Sequence, residues 1–154
     1  CIRDSNYFVG QMKQERVKDW MASKVETVTK EMNLPEAYQV MVAAEVRRLP
    51  VIDENGRLCG IVTLGDMRAA QPSPATSLGI WERNYLLANL TVERIMTEDV
   101  VTIHPQQSIG EAAELMLEKR VSGLPVVDED GAICGIITES DIFRMVVRHQ
   151  WQRR

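Results

Sequence analysis

The chain has 154 residues, 45% of them hydrophobic and 26% charged, with a formal net charge of −4. That composition is ordinary for a soluble globular protein and fits one compact domain or two half-domains sharing a core. The acidic balance gives nucleic acid polymers and anionic membranes little to attract, and no apolar run reaches the roughly 18 residues of a membrane span.

In chain order, residues 1–16 are polar with scattered apolar positions and read as an N-terminal extension, a partly ordered arm. The missing initiator Met suggests a processed or excised piece that could lack a neighbouring domain, and no signal-peptide pattern is present. Val25–Val28 is a short β-branched stretch suited to a strand. Asn33-Leu34-Pro35-Glu36 is a capping-box pattern, with Pro35 tolerated because first-turn amides have no intrahelical partner. Leu34, Ala37, Tyr38, Met41 and Ala44 then recur at helical spacing. Leu49–Ile52 and Leu58–Val62 flank an acidic-Gly turn and predict a hairpin, followed by a second helix.

Gln71-Pro72-Ser73-Pro74 breaks the chain, and Ser77 is placed to cap a linker helix whose Leu78, Trp81, Tyr85 and Ala88 share one face. Large apolar residues at that spacing predict a packed helix, so Trp81 and Tyr85 read as core. The same order of elements then recurs. It comprises a strand at Val100–Ile103, a capping box at Ser108-Ile109-Gly110-Glu111, a helix with Ile109, Ala112, Ala113 and Met116 inward, and a hairpin of Leu124–Val127 and Ile133–Ile137. The last helix has Ile142, Met145, Val146 and His149 on its apolar side. Arg144, Arg148, Arg153 and Arg154 read as a solvated face complementing the helix dipole.

The recurrence is an internal repeat. Residues 17–70 align with 92–145 at a shift of 75 without a gap, so that Leu49-Pro50-Val51-Ile52-Asp53 falls on Leu124-Pro125-Val126-Val127-Asp128. This predicts an extension (1–16), a first repeat (17–70), a linker with a helix (71–91), a second repeat (92–147) and a tail (148–154). Each repeat runs β-α-β-β-α, an α/β (α+β) class. A unit present only twice predicts two modules burying their apolar faces against each other.

Catalysis finds little support. His104 and His149 are the only histidines, both read as structural, and no metalloprotease, nucleophile-elbow or triad pattern can be assembled. Gly60–Asp66 has P-loop glycine spacing but lacks the Lys-Ser/Thr that engages phosphate and magnesium. Asp128–Gly131 is no calcium loop, because Ile133 stands where the sixth-position Gly is needed. Neither a catalytic nor a metal-binding residue is assigned. Cys1, Cys59 and Cys134 form no disulfide framework; Cys59 and Cys134 lie at equivalent apolar strand positions, which points to a reducing, cytoplasmic setting.

The signal left is Gly60-Ile-Val-Thr63-Leu-Gly-Asp66 and its copy Gly135-Ile-Ile-Thr138-Glu-Ser-Asp141. T-x-x-D is a helix-start pattern in which Thr caps an early amide. The Asp carboxylate can also accept two hydrogen bonds, a geometry suited to vicinal ribose hydroxyls.

With Val17–Met21, Val46–Gly56, Gly60–Asp66 and their second copies, the chain resembles a tandem pair of cystathionine-β-synthase (CBS) domains, a Bateman module, over about residues 17–147. The linker Pro72–Leu87 is similar to that of stand-alone bacterial CBS proteins of the acetoin-utilisation type. The resemblance implies two repeats packed about a pseudo-twofold axis, with adenosine-containing ligands in the clefts between them. It implies ribose contacts at Asp66 and Asp141, and hydroxyl contacts at Thr63 and Thr138. Adenine is placed near Thr27 and Thr102 and near the segments entering Pro50 and Pro125. The position three residues before that Pro often faces phosphate; here it is Arg47 in one copy and Ser122 in the other. Arg48 and Arg120 are the residues that could compensate for Ser122.

Two function classes follow. One is a non-catalytic regulatory sensor for AMP, ADP, ATP or S-adenosylmethionine, with no cofactor required. The other is a ligand-independent dimerisation module in which T-x-x-D serves only as a cap. The expected partners are a small-molecule nucleotide, an unknown regulated protein and a second copy, joined through helix residues such as Ala37, Met41, Ala112, Met116, Ile142 and Met145.

Overall fold

The computed structural model describes residue 10, residues 12–72 and residues 79–151. Cys1, Ser73, Pro74, Ser77, Leu78, Arg153 and Arg154, which figured above, lie outside the described residues. The elements are α1 (Val17–Trp20), β1 (Val28–Thr29), α2 (Leu34–Ala44), β2 (Arg48–Ile52), β3 (Leu58–Thr63), α3 (Leu64–Ala70), α4 (Ile80–Asn89), α5 (Val92–Ile95), α6 (Ile109–Lys119), β4 (Gly123–Val127), β5 (Ile133–Thr138) and α7 (Glu139–Trp151). They sort into a central unit, Glu26–Val100, and a terminal unit made of the chain up to Val25 and from Val101 onward.

In the central unit the sheet order is β1-β2-β3, with β1 parallel to β2 and β2–β3 an antiparallel hairpin. The hairpin turn is set by Asp53, whose Oδ1 accepts the Asn55 and Arg57 amides at 2.8 and 3.0 Å, and Gly56 takes φ +76° as a side chain rarely would. Both expected capping boxes form: Asn33 accepts from the Glu36 amide at 3.0 Å, and Ser108 accepts from the Glu111 amide at 3.1 Å. Val28, Leu34, Ala37, Met41, Leu49, Val51, Val62, Met67 and Val92 make the core. The terminal unit repeats this around β4–β5, with Val17, Ile103, Ile109, Ala112, Met116, Leu124, Val126, Ile137 and Met145 inside.

The first strand of each repeat is shorter than its β-branched run predicts. Only Val28–Thr29 pairs in one unit, and in the other Ile103 alone bridges Val126. The cause is proline. Ile103 donates to the Pro125 carbonyl at 3.1 Å and accepts from the Val127 amide at 3.0 Å; one step earlier the donor would be the Pro125 nitrogen, which carries no hydrogen.

The compact units do not follow the sequence repeats. Val92 and the residues after it as far as Val100 belong to the central unit, where Ile61 and Thr97 exchange backbone bonds of 3.0 and 2.9 Å on the outer edge of β3. The equivalent segment of the first repeat serves the terminal unit, where Ala22 and Ile136 exchange bonds of 2.9 and 3.0 Å on β5. Residues 12–16 of the expected extension are tied to the same unit: the Glu15 carbonyl accepts the Ile109 amide at 2.9 Å and Met12 packs on the core.

Three expectations are corrected. Trp81 and Tyr85 are not core: they are 86% and 70% exposed, because α4 lies against α2 and turns Leu87 toward the core instead, with Leu90 packing there just beyond its end. The helix residues proposed to join two copies are mostly committed to their own unit. Ala37, Met41, Ala112, Met116 and Met145 are buried in the cores and Ile142 packs against one, whereas Tyr38, Val42, Leu117 and Val147 are exposed. Finally, Arg144 and Arg148 are not merely solvated. Arg144 pairs with Asp141 at 3.2 Å, and Arg148 lies 5.7 Å from the centre of the Trp20 ring.

Candidate functional site

Each T-x-x-D motif sits where a strand passes directly into a helix. In the central unit Thr63 is the N-cap of α3: its hydroxyl accepts the Asp66 amide at 3.1 Å, and Asp66 Oδ2 accepts the Thr63 amide at 2.9 Å. The next amide, Leu64, donates to the Arg47 carbonyl at 2.8 Å. That bond fastens the segment entering β2 to the start of α3, which is why Arg47 stands beside Thr63. The turn that delivers Arg47 begins at Glu45, which closes α2 in the left-handed region at φ 55°.

The terminal unit repeats the frame with different chemistry. Asp141 Oδ2 accepts both the Thr138 amide at 2.9 Å and the Thr138 hydroxyl at 3.2 Å, and Glu139 donates to the Ser122 carbonyl at 3.1 Å. Arg144 Nη2 lies 3.2 Å from Asp141 Oδ1, so both carboxylate oxygens are engaged and Asp141 is 4% exposed. Ala69 occupies the position equivalent to Arg144, and Asp66 is only half-buried.

Backbone register gathers the other expected residues. Arg48 pairs with Thr63 and Pro50 with Ile61, while Val28 pairs with Val51; one step back, Thr27 stands level with Pro50. Thr27, Arg47, Pro50, Thr63 and Asp66 therefore share the end of the sheet where β2 begins. The same reasoning from the Ile103–Val126 bridge and the Gly123–Thr138 pair assembles Thr102, Ser122, Pro125, Thr138 and Asp141. Pro50 and Pro125 are buried, so they shape these ends from within.

A depression of about 350 Å³ opens there in the central unit, lined by Arg47, Arg48, Thr63, Leu64, Gly65 and Arg68. It joins Arg47 to Thr63 as expected but is not lined by Thr27, Pro50 or Asp66. Arg68 is the residue that motif reasoning passed over. Its signal was a mismatch, since Phe143 stands at the equivalent place in an otherwise matched helix start. A second depression of about 300 Å³, lined by Thr29, Lys30, Glu31, Ile52, Asp53, Glu54 and Asn55, lies at the other end of β1 and β2 and contains none of the expected residues.

The histidines have structural contacts. His104 Nδ1 lies 3.0 Å from the Val127 carbonyl. His149 Nε2 lies 2.9 Å from Glu15 Oε1, whose partner oxygen accepts the Trp20 indole N–H at 3.0 Å. Among the described residues no group of His, Cys, Asp and Glu could hold a metal ion.

The family model for the CBS domain matches residues 17–73 and again 92–148. A CBS domain-containing protein of Dictyostelium discoideum is 35% identical over 86% of this chain and 91% of its own length. Homoserine O-acetyltransferase of Methanococcoides burtonii is 37% identical over 84% of this chain, which spans only 24% of that enzyme. Among solved structures, the CBS domain pair of protein MJ0100 in complex with 5′-methylthioadenosine and S-adenosyl-L-methionine is 30% identical, with a TM-score of 0.72 over 87% of this chain and 97% of that one. CBSX2 of Arabidopsis thaliana in complex with AMP is 28% identical, with a TM-score of 0.74 over 88% and 98% of the two chains. A putative acetoin utilization protein from Vibrio cholerae is 29% identical, with a TM-score of 0.73 over 90% and 94%.

Proposed function

The chain belongs to the CBS domain family, and on that premise we propose that it is a non-catalytic regulatory module that binds adenosine-containing small molecules at the Thr63–Asp66 and Thr138–Asp141 sites. The observation that carries this reading is the duplicated constellation itself. Each unit offers a carboxylate held by a threonine amide at a strand-to-helix junction, with a second threonine (Thr27 or Thr102) level with a buried proline on the neighbouring strand. A carboxylate so fixed is pre-oriented to accept from vicinal ribose hydroxyls, and little side-chain entropy remains to be lost on binding. The two similar pairs crystallised with 5′-methylthioadenosine, S-adenosyl-L-methionine and AMP support the adenosine class.

Regulation then requires that ligand bind one conformation of the module better than another. A second copy belongs to the same reading, with exposed Tyr38, Val42, Leu117 and Val147 as the helix positions left for it. A thermal-shift panel of adenosine, 5′-methylthioadenosine, S-adenosylmethionine, AMP, ADP and ATP tests the ligand. At about 100 times the dissociation constant, binding adds roughly 2.7 kcal/mol of stability and a clear rise in melting temperature. An unmoved midpoint with every compound at millimolar concentration would hand the motifs back to capping alone.

A further inference from the structure

Resting on the adenosine reading, we propose that the two sites divide their ligands by charge. The central unit takes an adenosine compound carrying a phosphate or polyphosphate chain, and the terminal unit takes one without phosphate. Arg47, Arg48 and Arg68 line one depression beside Thr63, and no carboxylate lines it with them. Among the described residues neither Arg47 nor Arg68 forms an ion pair, and both are exposed. Like charges converging on one concavity repel one another and concentrate anions there. The planar guanidinium fork suits phosphate oxygens in pairs, which a lone ammonium does not.

The shift of 75 shows how far the copies have parted. Ser122, Gly123 and Phe143 stand where Arg47, Arg48 and Arg68 do. Of the cations the terminal unit adds, Arg144 lies 3.2 Å from the Asp141 carboxylate and is neutralised by it, and Arg120, at the place of Glu45, closes α6 in the left-handed region two residues before Ser122. Phe143 is 63% exposed, offering an aromatic face where the other copy offers a charge. Such a face favours an uncharged or cationic substituent over a polyanion. The motif that would hold ribose is thus kept twice, while the residues around it that would read charge are opposite in kind.

Calorimetry of the whole chain with inorganic tripolyphosphate, adenosine and ATP tests this, using the Arg47→Ser Arg68→Phe variant and its converse, Ser122→Arg Phe143→Arg. Tripolyphosphate alone should bind one site per chain. Loss of both guanidinium groups should weaken it about 100-fold, at roughly tenfold for each charge-assisted contact, while adenosine affinity stays unchanged. The converse variant should gain a second tripolyphosphate site. All four positions are at least partly exposed, and the unliganded melting midpoint serves as the control for folding. Adenosine binding with no tripolyphosphate affinity, or tripolyphosphate affinity that survives loss of both arginines, overturns the division and leaves the adenosine reading standing. Tripolyphosphate binding that depends on the arginines, without any adenosine binding, sinks the adenosine reading while upholding the anion-selective depression.

Discussion

The sulphur of Met96 lies over Gly60 so closely that a Cβ built on that glycine would stand 2.6 Å from Sδ and 3.0 Å from the Thr97 carbonyl. Gly135 holds the same relation to Met21, its Cβ position meeting Sδ closely and standing 3.0 Å from the Ala22 carbonyl. The glycine that opens each Gly-h-h-Thr-x-x-Asp motif therefore has a reason independent of ligand. It lets a segment from the other repeat close down on the outer strand. Gly60→Ala and Gly135→Ala should each cost about 1–3 kcal/mol by overpacking, read from urea unfolding midpoints. Met96→Ala in the Gly60→Ala background should recover only part of that loss, since the carbonyl contact persists. Full stability in both glycine variants would show that the segment yields freely.

The two motif aspartates should differ in structural weight. Asp66→Ala removes one cap and should cost about 1 kcal/mol. Asp141→Ala leaves the half-buried Thr138 amide and hydroxyl without their acceptor and removes a side chain that is itself buried, and about 2–3 kcal/mol is expected. The exposed Arg144 adds little to that difference. Denaturant titration of the two variants ranks them, and the reverse order would contradict the burial argument.

On α4 the large aromatic residues should be nearly silent. Trp81→Ser should change stability by no more than about 0.5 kcal/mol. Leu87→Ala, on the side that packs against the core, should cost about 1–2 kcal/mol. Equal losses would place the helix with its other face inward.

Burial pushes the Cys59 thiol up from its ordinary range; Asp53 adds to the shift and Lys30 opposes it. Burial likewise raises Cys134, helped by Asp128. Each thiol also donates to a carbonyl at the strand bulge, Cys59 to Val51 at 3.2 Å and Cys134 to Val126 at 3.3 Å. A group whose folded pKa is raised contributes stability in full below its unfolded pKa, about 8.5 for a thiol, and loses it as pH rises through the folded value. Stability should therefore fall above about pH 8.5 more steeply in the wild type than in Cys59→Ala Cys134→Ala. Parallel urea midpoints from pH 7 to about 10.5 would exclude the thiols as the cause.

Much of this architecture was legible because the chain states it twice. The capping boxes, hairpins and inward face of the last helix depend on local spacing, and each appears where spacing put it. The inner face of α4 was not legible. Its Trp81–Tyr85–Ala88 stripe carries the larger side chains, and period alone does not say which of two apolar stripes meets the core. Arg68 escaped for a related reason. A motif search rewards positions that match, whereas Arg68 differs from its counterpart Phe143. The proline limit on the first strands could have been anticipated, since Pro50 and Pro125 were in plain view.

The division of the chain into units also bears on the order of events during synthesis. All of the central unit lies between Glu26 and Val100, so it is an insertion within the terminal unit, whose two parts flank it. As the polypeptide leaves the ribosome, the central unit is complete as soon as Val100 has emerged. The stretch around Val17–Ala22 must meanwhile wait for β5, its pairing partner, which is made more than a hundred residues later. Domains commonly fold as units in the order they are made. Here the first part of the module to emerge becomes one of the last to find its place.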